Sequence, residues 1–245
     1  TGEFLSFLFG DDYYLPEKTR LQLDRFASLP IDFGVVYSPG FRLNDLTGEL
    51  WKTPSLMESG YILEGIMRGL DHGLSIIPVS PLIRKECLVR HPVHLDLENE
   101  GEALFWRYAM TTRFSFLDEP LVVMRDHERN AGKAIKLNSR YFSLLLEKLA
   151  QEPDFPKPLL TLLNVTKAKL LRNYGWQGVR VAEDGHWARE CFGRAVACSP
   201  SQALHPRTII GLGLSLLPKP LLHLANILAN KILGHRHNSL FRESW

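Results

Sequence analysis

Apolar and polar positions alternate in short blocks over the first half of the chain and in helical steps over the second. Residues 3–9 are apolar except Glu3 and Ser6, which predicts a short buried strand. Gly10-Asp11-Asp12 breaks it. Pro16-Glu17-Lys18 then opens a helix, with proline suited to the first turn and Glu17 favourable at the positive end. Leu21, Leu23 and Phe26 are its expected apolar side, and Pro30 lies beyond its end. Residues 33–38 read as a second strand. Residues 39–60 read as loop, on the turn signals Pro39-Gly40, Asn44-Asp45 and Thr47-Gly48. A short helix fits within 57–70, an extended piece at 76–80, and a compact turn or helix from Leu82 to Val89. Glu98 to Ala109 reads as an amphipathic helix with Leu104, Phe105, Tyr108 and Ala109 near one face. Strands follow at 114–117 and 121–124. This alternation argues an α/β layer fold, with the strands at 3–9, 33–38 and 114–124 in one mixed sheet and Asp11 at a strand's carboxyl end.

After residue 136 the period changes. Leu137, Tyr141, Leu145 and Leu149 recur at helical spacing, Pro153, Pro156 and Pro158 mark a linker, and Leu159–Arg172 and Trp187–Cys198 read as further helices. The expected division is an α/β part over 1–136 and a helical extension over 137–245.

Composition narrows the function classes. Of 245 residues, 45% are hydrophobic and 23% charged, which excludes a disordered chain. Lys plus Arg is 29 against 27 Asp plus Glu, so no polycationic surface is expected and nucleic acid is not an expected partner. Three cysteines (Cys87, Cys191 and Cys198) form no CxxC pair and read as small buried hydrophobes in a reducing, cytoplasmic setting. The first residue is Thr and the chain enters an apolar run at once, without a basic leader. The expectation is the back part of a longer protein.

The sharpest chemical feature is Asp11-Asp12 directly after an apolar strand. Ligands of open α/β sheets sit outside the carboxyl ends of the strands. Adjacent carboxylates there repel unless a cation neutralises them, and hard oxygen ligands suit Mg²⁺ or Mn²⁺. The alternative is a turn followed by a helix cap.

The run Thr1-Gly2-Glu3-Phe4-Leu5-Ser6-Phe7-Leu8-Phe9-Gly10-Asp11-Asp12-Tyr13-Tyr14-Leu15-Pro16-Glu17-Lys18 resembles the core pattern G-E-[YF]-hydrophobic-x-F-L-D-x-D-D-x-x-x-P-x-K of family 2 glycosyltransferases. The resemblance continues in order at Gly34–Ser38, at Ile77–Leu88 and at Asp118-Glu119-Pro120-Leu121-Val122-Val123-Met124-Arg125-Asp126-His127. It covers residues 1–130 and implies a partial GT-A fold, a mixed sheet that binds a nucleotide-diphospho-sugar, followed by the helical extension.

In that family the acidic motif holds a divalent cation against the donor diphosphate. The resemblance gives this role to Asp11 and Asp12, while Phe9 stands where the family has its first Asp. Arg125 and His127 match a loop that closes over the diphosphate; as isolated residues such side chains are more often surface groups. Ser80 and Arg84 match the acceptor side. The family's base, which takes the acceptor proton, sits on the helix before Asp118-Glu119-Pro120. An ungapped count puts it at Glu100-Gly101 and a two-residue deletion at Glu102-Ala103, so Glu100 is the first candidate and Glu102 the second. Three Glu at a helix start also simply favour the helix dipole. The family's early nucleotide-binding strands would precede Thr1, so this stretch alone is expected to be inactive. The Gln-x-x-Arg-Trp motif of processive members is absent.

The implied activity is inverting transfer of a sugar from a nucleotide donor to a hydroxyl of a glycan or lipid-linked acceptor, with Mg²⁺ or Mn²⁺, in cell-surface polysaccharide or glycan synthesis. The alternative is a non-catalytic binding or scaffold protein on the same fold. From Ile209 to Leu233 the only charged residues are Lys219 and Lys231, and Pro218-Lys219-Pro220 interrupts the run. That suggests peripheral contact of 208–233 with a membrane, at its inner face, rather than a span. A helical cap on the domain or on a second subunit is the other reading.

Overall fold

The computed structural model describes residues 2–94 and 101–232. In chain order the α/β part contains β1 (Phe4–Leu5), β2 (Tyr13–Tyr14), α1 (Lys18–Ala27), β3 (Phe33–Tyr37), β4 (Gly40–Asn44), β5 (Leu50–Thr53), α2 (Leu63–Gly69), β6 (Leu82–Arg84), α3 (Lys85–Arg90), α4 (Gly101–Thr111), β7 (Arg113–Phe116) and β8 (Val122–Asp126). Among the described residues the strands form two four-stranded mixed sheets, ordered β1-β6-β3-β7 and β2-β8-β4-β5. The single sheet expected from the sequence is therefore two. The span 114–124 divides between them, because Asp118-Glu119-Pro120 turns the chain out of the first sheet after β7 and into the second at β8.

Two parallel pairs tie the sheets together. β3 runs parallel to β7, and their continuations β4 and β8 are parallel as well. Between the pairs, the Leu117 amide donates to the Tyr37 carbonyl (2.9 Å) and the Leu121 amide to the Pro39 carbonyl (3.2 Å). β3 is buried at every position, as a strand covered on both faces must be.

The stretch 39–60 corrects the loop reading. β4 and β5 form an antiparallel hairpin through it. The turn residues act where expected: the Asn44 side-chain oxygen accepts from the amides of Leu46 and Thr47, and Gly48 takes φ +70°. The alternation of Phe41 and Leu43 with Arg42, and of Trp51 with Lys52, is the strand signal that the turn residues obscured. Likewise Leu82–Arg84, read as turn or helix, is β6, central in its sheet between β1 and β3, and only Lys85–Arg90 is helical. The strand over 3–9 shrinks to Phe4–Leu5.

α1 lies where Pro16 and Glu17 place it, but its buried face is Lys18, Gln22 and Phe26; Leu21 is half-buried and Leu23 exposed. Lys18 is fully buried, which lysine tolerates only with partners. Its ammonium donates to Gln22 Oε1 (2.9 Å) and Ser6 Oγ (3.0 Å) and sits 4.2 Å from the centre of the Tyr14 ring. Gln22 in turn donates to the carbonyls of Val36 (3.1 Å) and Ser80 (2.8 Å), and Ser6 to that of Pro81 (2.8 Å). One polar cluster thus fastens α1 to β3, to the segment before β6 and to the chain between β1 and β2.

Among the described residues the second compact unit comprises 131–151 and 157–232, and the first comprises those up to 130 with 152–156. The second unit contains α5 (Ile135–Leu149), α6 (Leu160–Arg180), α7 (Gly185–Cys198), α8 (Pro206–Ser215) and α9 (Lys219–Ile232). α5 is helical as expected, but its buried stripe is Asn138, Phe142, Leu145, Leu146 and Leu149, with Leu137 exposed. α6 runs eight residues further than Arg172. α6, α7 and α8 close around Phe192: a Cβ on Gly175 would lie 2.8 Å from its ring, and one on Gly211 closer still. Asp184 caps α7 by accepting the Trp187 amide (3.0 Å).

Burial pushes the Lys18 ammonium down to about 8. In the unfolded chain lysine titrates at ~10.4. Between these values the unfolded state binds more protons, so this group's contribution to stability rises with pH across that interval. Lys18→Ala is expected to lower stability by ~2–4 kcal/mol at pH 7, through the cavity and the orphaned Gln22 and Ser6 acceptors. Chemical denaturation from pH 7 to 10 should show the wild type gaining stability relative to the variant as pH rises.

Candidate functional site

Asp11 and Asp12 do not end β1. Six residues separate β1 from Asp12, and the pair leads directly into β2. β2 lies antiparallel to β8, with Tyr13 opposite Val123 and Tyr14 opposite Val122. β8 is paired on its other edge with β4 in parallel, Phe41 opposite Val123 and Asn44 opposite Asp126. The pair therefore arrives beside the carboxyl ends of β4 and β8, the place where open α/β sheets receive ligands. The pair thus precedes a strand instead of ending the one expected over 3–9, and it is the ends of β4 and β8 that lie beside it.

At that edge four of the residues singled out in the sequence meet. Asp12 Oδ1 accepts the Arg125 backbone amide (3.0 Å), and Asp11 Oδ2 lies 2.7 Å from His127 Nε2. His127 Nδ1 accepts the amide of Arg129 (3.2 Å). A neutral imidazole has one donor nitrogen, so an accepting Nδ1 leaves the proton on Nε2, and Nε2–H donates to Asp11.

Two further residues hold this edge, and the sequence reading passed over both. Asp45, at the end of β4, takes two parallel bonds from the Arg125 guanidinium, each 2.8 Å. Asn130 Oδ1 accepts the His127 amide (2.6 Å), and its amide nitrogen donates to the Arg125 carbonyl (3.0 Å). Asp45 had been visible only as half of a turn signal. Its relation to Arg125 depends on the β4–β8 register, which no local pattern reveals. Leu8, Phe9 and Tyr13 flank the acidic pair as exposed apolar side chains.

The electrostatics separate the carboxylates. Partial burial pushes Asp12 above the usual carboxylate range and the neighbouring Asp11 adds to this; the Arg125 amide, Arg42 and His127 oppose it. The Arg125 hydrogen bonds hold Asp45 below that range. Asp12 is thus a backbone anchor for β8, and Asp11 is the carboxylate hydrogen-bonded to His127.

The other candidates fall elsewhere. Glu100 lies outside the described residues. Glu102 is in the first turn of α4, whose following residues Ala103–Ala109 are buried, Trp106 and Arg107 with them. Ser80 is buried. Arg84 donates to the Phe33 carbonyl (3.1 Å) and Glu3 (3.0 Å), and packs over the rings of Phe4 and Phe26.

Among the described residues no group of three or more His, Cys, Asp or Glu side chains is arranged to hold a metal ion. Mg²⁺ beside a phosphate needs less from the protein: one or two carboxylates, with waters and substrate oxygens completing the shell. Asp11 fits that sparse role; both His127 nitrogens are spent, Nε2–H on Asp11 and Nδ1 on the Arg129 amide, so His127 orients that carboxylate.

Comparison with protein-family models gives no match, and comparison with curated proteins gives none. Among solved structures, the chain is similar to a mannosyltransferase from Pyrobaculum calidifontis in complex with GDP-Man and Mn²⁺. The TM-score is 0.45 and the identity 14%, over 93% of this chain and 59% of that one.

Asp12→Asn retains the oxygen that the Arg125 amide needs and removes a charge that burial and Asp11 disfavour. It is expected to leave Tm unchanged or raise it by ~1–3 °C at pH 7. The difference is full above the raised folded-state pKa and shrinks as pH falls towards ~3.9, where the unfolded chain also becomes protonated. Calorimetry at pH 7 and pH 4 checks this; a clear drop in Tm at pH 7 would mean the ionised carboxylate stabilises the fold.

Proposed function

We propose that the chain is the metal- and diphosphate-binding part of a glycosyltransferase, which moves a sugar from a nucleoside-diphosphate donor to an acceptor hydroxyl. The observation that carries this reading is the 2.7 Å bond between Asp11 and His127, 116 residues apart and meeting where β4 and β8 end. Both belong to segments that resemble family 2 motifs, and the resemblance gives both a place at the donor diphosphate. A partial GT-A fold and inversion at the anomeric carbon are part of the same proposal, as is a role in surface polysaccharide or glycan assembly.

Asp11 would hold Mg²⁺ or Mn²⁺, and His127 would orient it through the Nε2–H bond. A bound cation there supplies charge neutralisation for the departing diphosphate. Asp12 fixes the backbone of Arg125 and so the height of the loop that follows. The Arg125 guanidinium has five N–H donors and gives two to Asp45, so donors remain for phosphate oxygens. Asp45 sets the plane in which they lie. Glu100, or Glu102 as the second candidate, would take the proton of the acceptor hydroxyl.

A second reading, a non-catalytic scaffold, draws on one observation: Asp11, Asp12 and Asp45 each already have a partner within the chain. The two readings separate in one assay. The intact protein is incubated with Mn²⁺ and a panel of nucleotide sugars including GDP-mannose, and release of nucleoside diphosphate is followed. Donor turnover is expected. Asp11→Ala should cost about 100-fold or more and Asp12→Ala clearly less, because Asp12's main bond is structural. No turnover of any donor, or equal small losses in the two variants, would favour the scaffold.

A further inference from the structure

α8 and α9 are amphipathic in the inverted sense. The buried positions of α8 are Thr208, Gly211 and Ser215, and those of α9 include Leu222 and the polar Asn226. The outward positions are the apolar ones: Ile209, Ile210, Leu216, Leu221, Leu224 and Leu228 are between 50 and 74% exposed. Both helices are firmly seated by their inner faces. Gly211 lies against the Phe192 ring, and Leu222 joins Val179, Ala188 and Phe192 in one cluster. Asn226 donates to the Val179 carbonyl (2.9 Å) and accepts from Arg180 (2.6 Å). His223 pairs with Glu183, whose φ of 49° is rare for a residue other than glycine and fixes the bend between α6 and α7. The outward apolar side is therefore the side left over when these contacts are made, and turning either helix inward would break them.

We infer that this face of α8 and α9 docks on an anionic lipid surface, with the helices lying in the plane of the interface. The charge pattern selects that occupant. From Pro206 to Ile232 there is no Asp or Glu, while Arg207, Lys219 and Lys231 are exposed at helix ends. Anionic headgroups complement those cations while acyl chains take the leucines and isoleucines. Packing the face on a second copy of the chain would instead gather cations without a carboxylate from either helix to offset them. Helices of 10 and 14 residues reach only about 15 and 21 Å, against ~30 Å of hydrocarbon, and no described helix is long and apolar enough to cross a membrane. The inference is independent of the sugar-transfer reading.

The test is flotation of the whole chain with vesicles of phosphatidylcholine alone and of phosphatidylcholine with phosphatidylglycerol. Binding is expected on the anionic vesicles, weakened by salt, and much less on neutral ones. Leu221→Ser with Leu224→Ser should reduce it by about tenfold or more. Lys219→Glu with Lys231→Glu should reduce it by about 25-fold or more, at roughly fivefold for each lost cation. All four positions are exposed, so circular dichroism and Tm should match the wild type, as should donor turnover in solution. Absence of flotation by the folded protein overturns the inference, and so does binding that both double variants retain. Self-association in ultracentrifugation that the leucine substitutions abolish, without vesicle binding, would assign the face to a second copy instead.

Discussion

β8 is hydrogen-bonded on both edges, to β4 in parallel and to β2 in antiparallel register, and the α/β part is organised around that constraint. Val123 stands opposite Phe41 on one side and Tyr13 on the other, so the three strands share one register. A shift of one residue in β2 would reverse the faces of Tyr13 and Tyr14 and move Asp12 away from the Arg125 amide. Because β2 has only two residues, its own ladder is weak. The Asp12 bond to Arg125 and the Tyr14 hydroxyl bond to the Phe7 carbonyl (2.7 Å) extend its hold on the chain.

Tyr14 links this edge to the interior. Its hydroxyl lies 2.9 Å from Ser6 Oγ, and its ring faces the buried Lys18 ammonium. The acidic edge and the polar cluster beneath α1 are thus parts of one connected arrangement. The partners of Lys18 are neutral side chains and a ring, so the buried cation is held by geometry rather than by a counter-charge. Such a cluster has few alternative packings that satisfy every member, which gives the segment between β1 and β2 a defined path although it has almost no regular secondary structure.

The α/β part was legible wherever one signal dominated. Val35-Val36-Tyr37 announces a buried strand, and Pro16-Glu17 opens α1 where it starts. The reading failed where signals competed. Turn residues around Asn44 and Gly48 drew attention from the alternation that makes β4 and β5 a hairpin. Leu82-Ile83-Arg84 is too short to show a period, and its central place depends on pairing with both β1 and β3. The buried face of α1 was misjudged because Lys18 and Gln22 look like surface residues and are internal only through their bonds. At the site, Asp11, Asp12, Arg125 and His127 were named from motifs, while Asp45 and Asn130 join through strand register and a local turn. In the helical unit the apolar run after Pro206 was visible, but which side of each helix it occupies was set by Phe192, Asn226 and Glu183.

The central claim is that the β2–β8 register sets Asp11 against His127 so that the two act as one unit on the donor. A double-mutant cycle on donor turnover, with Asp11→Asn, His127→Gln and their combination, tests it most directly. The account predicts that each single substitution removes most of the rate and that the double variant is little worse than either, a coupling on the order of 1–3 kcal/mol. Losses that simply add, or single variants that keep wild-type turnover, would contradict it.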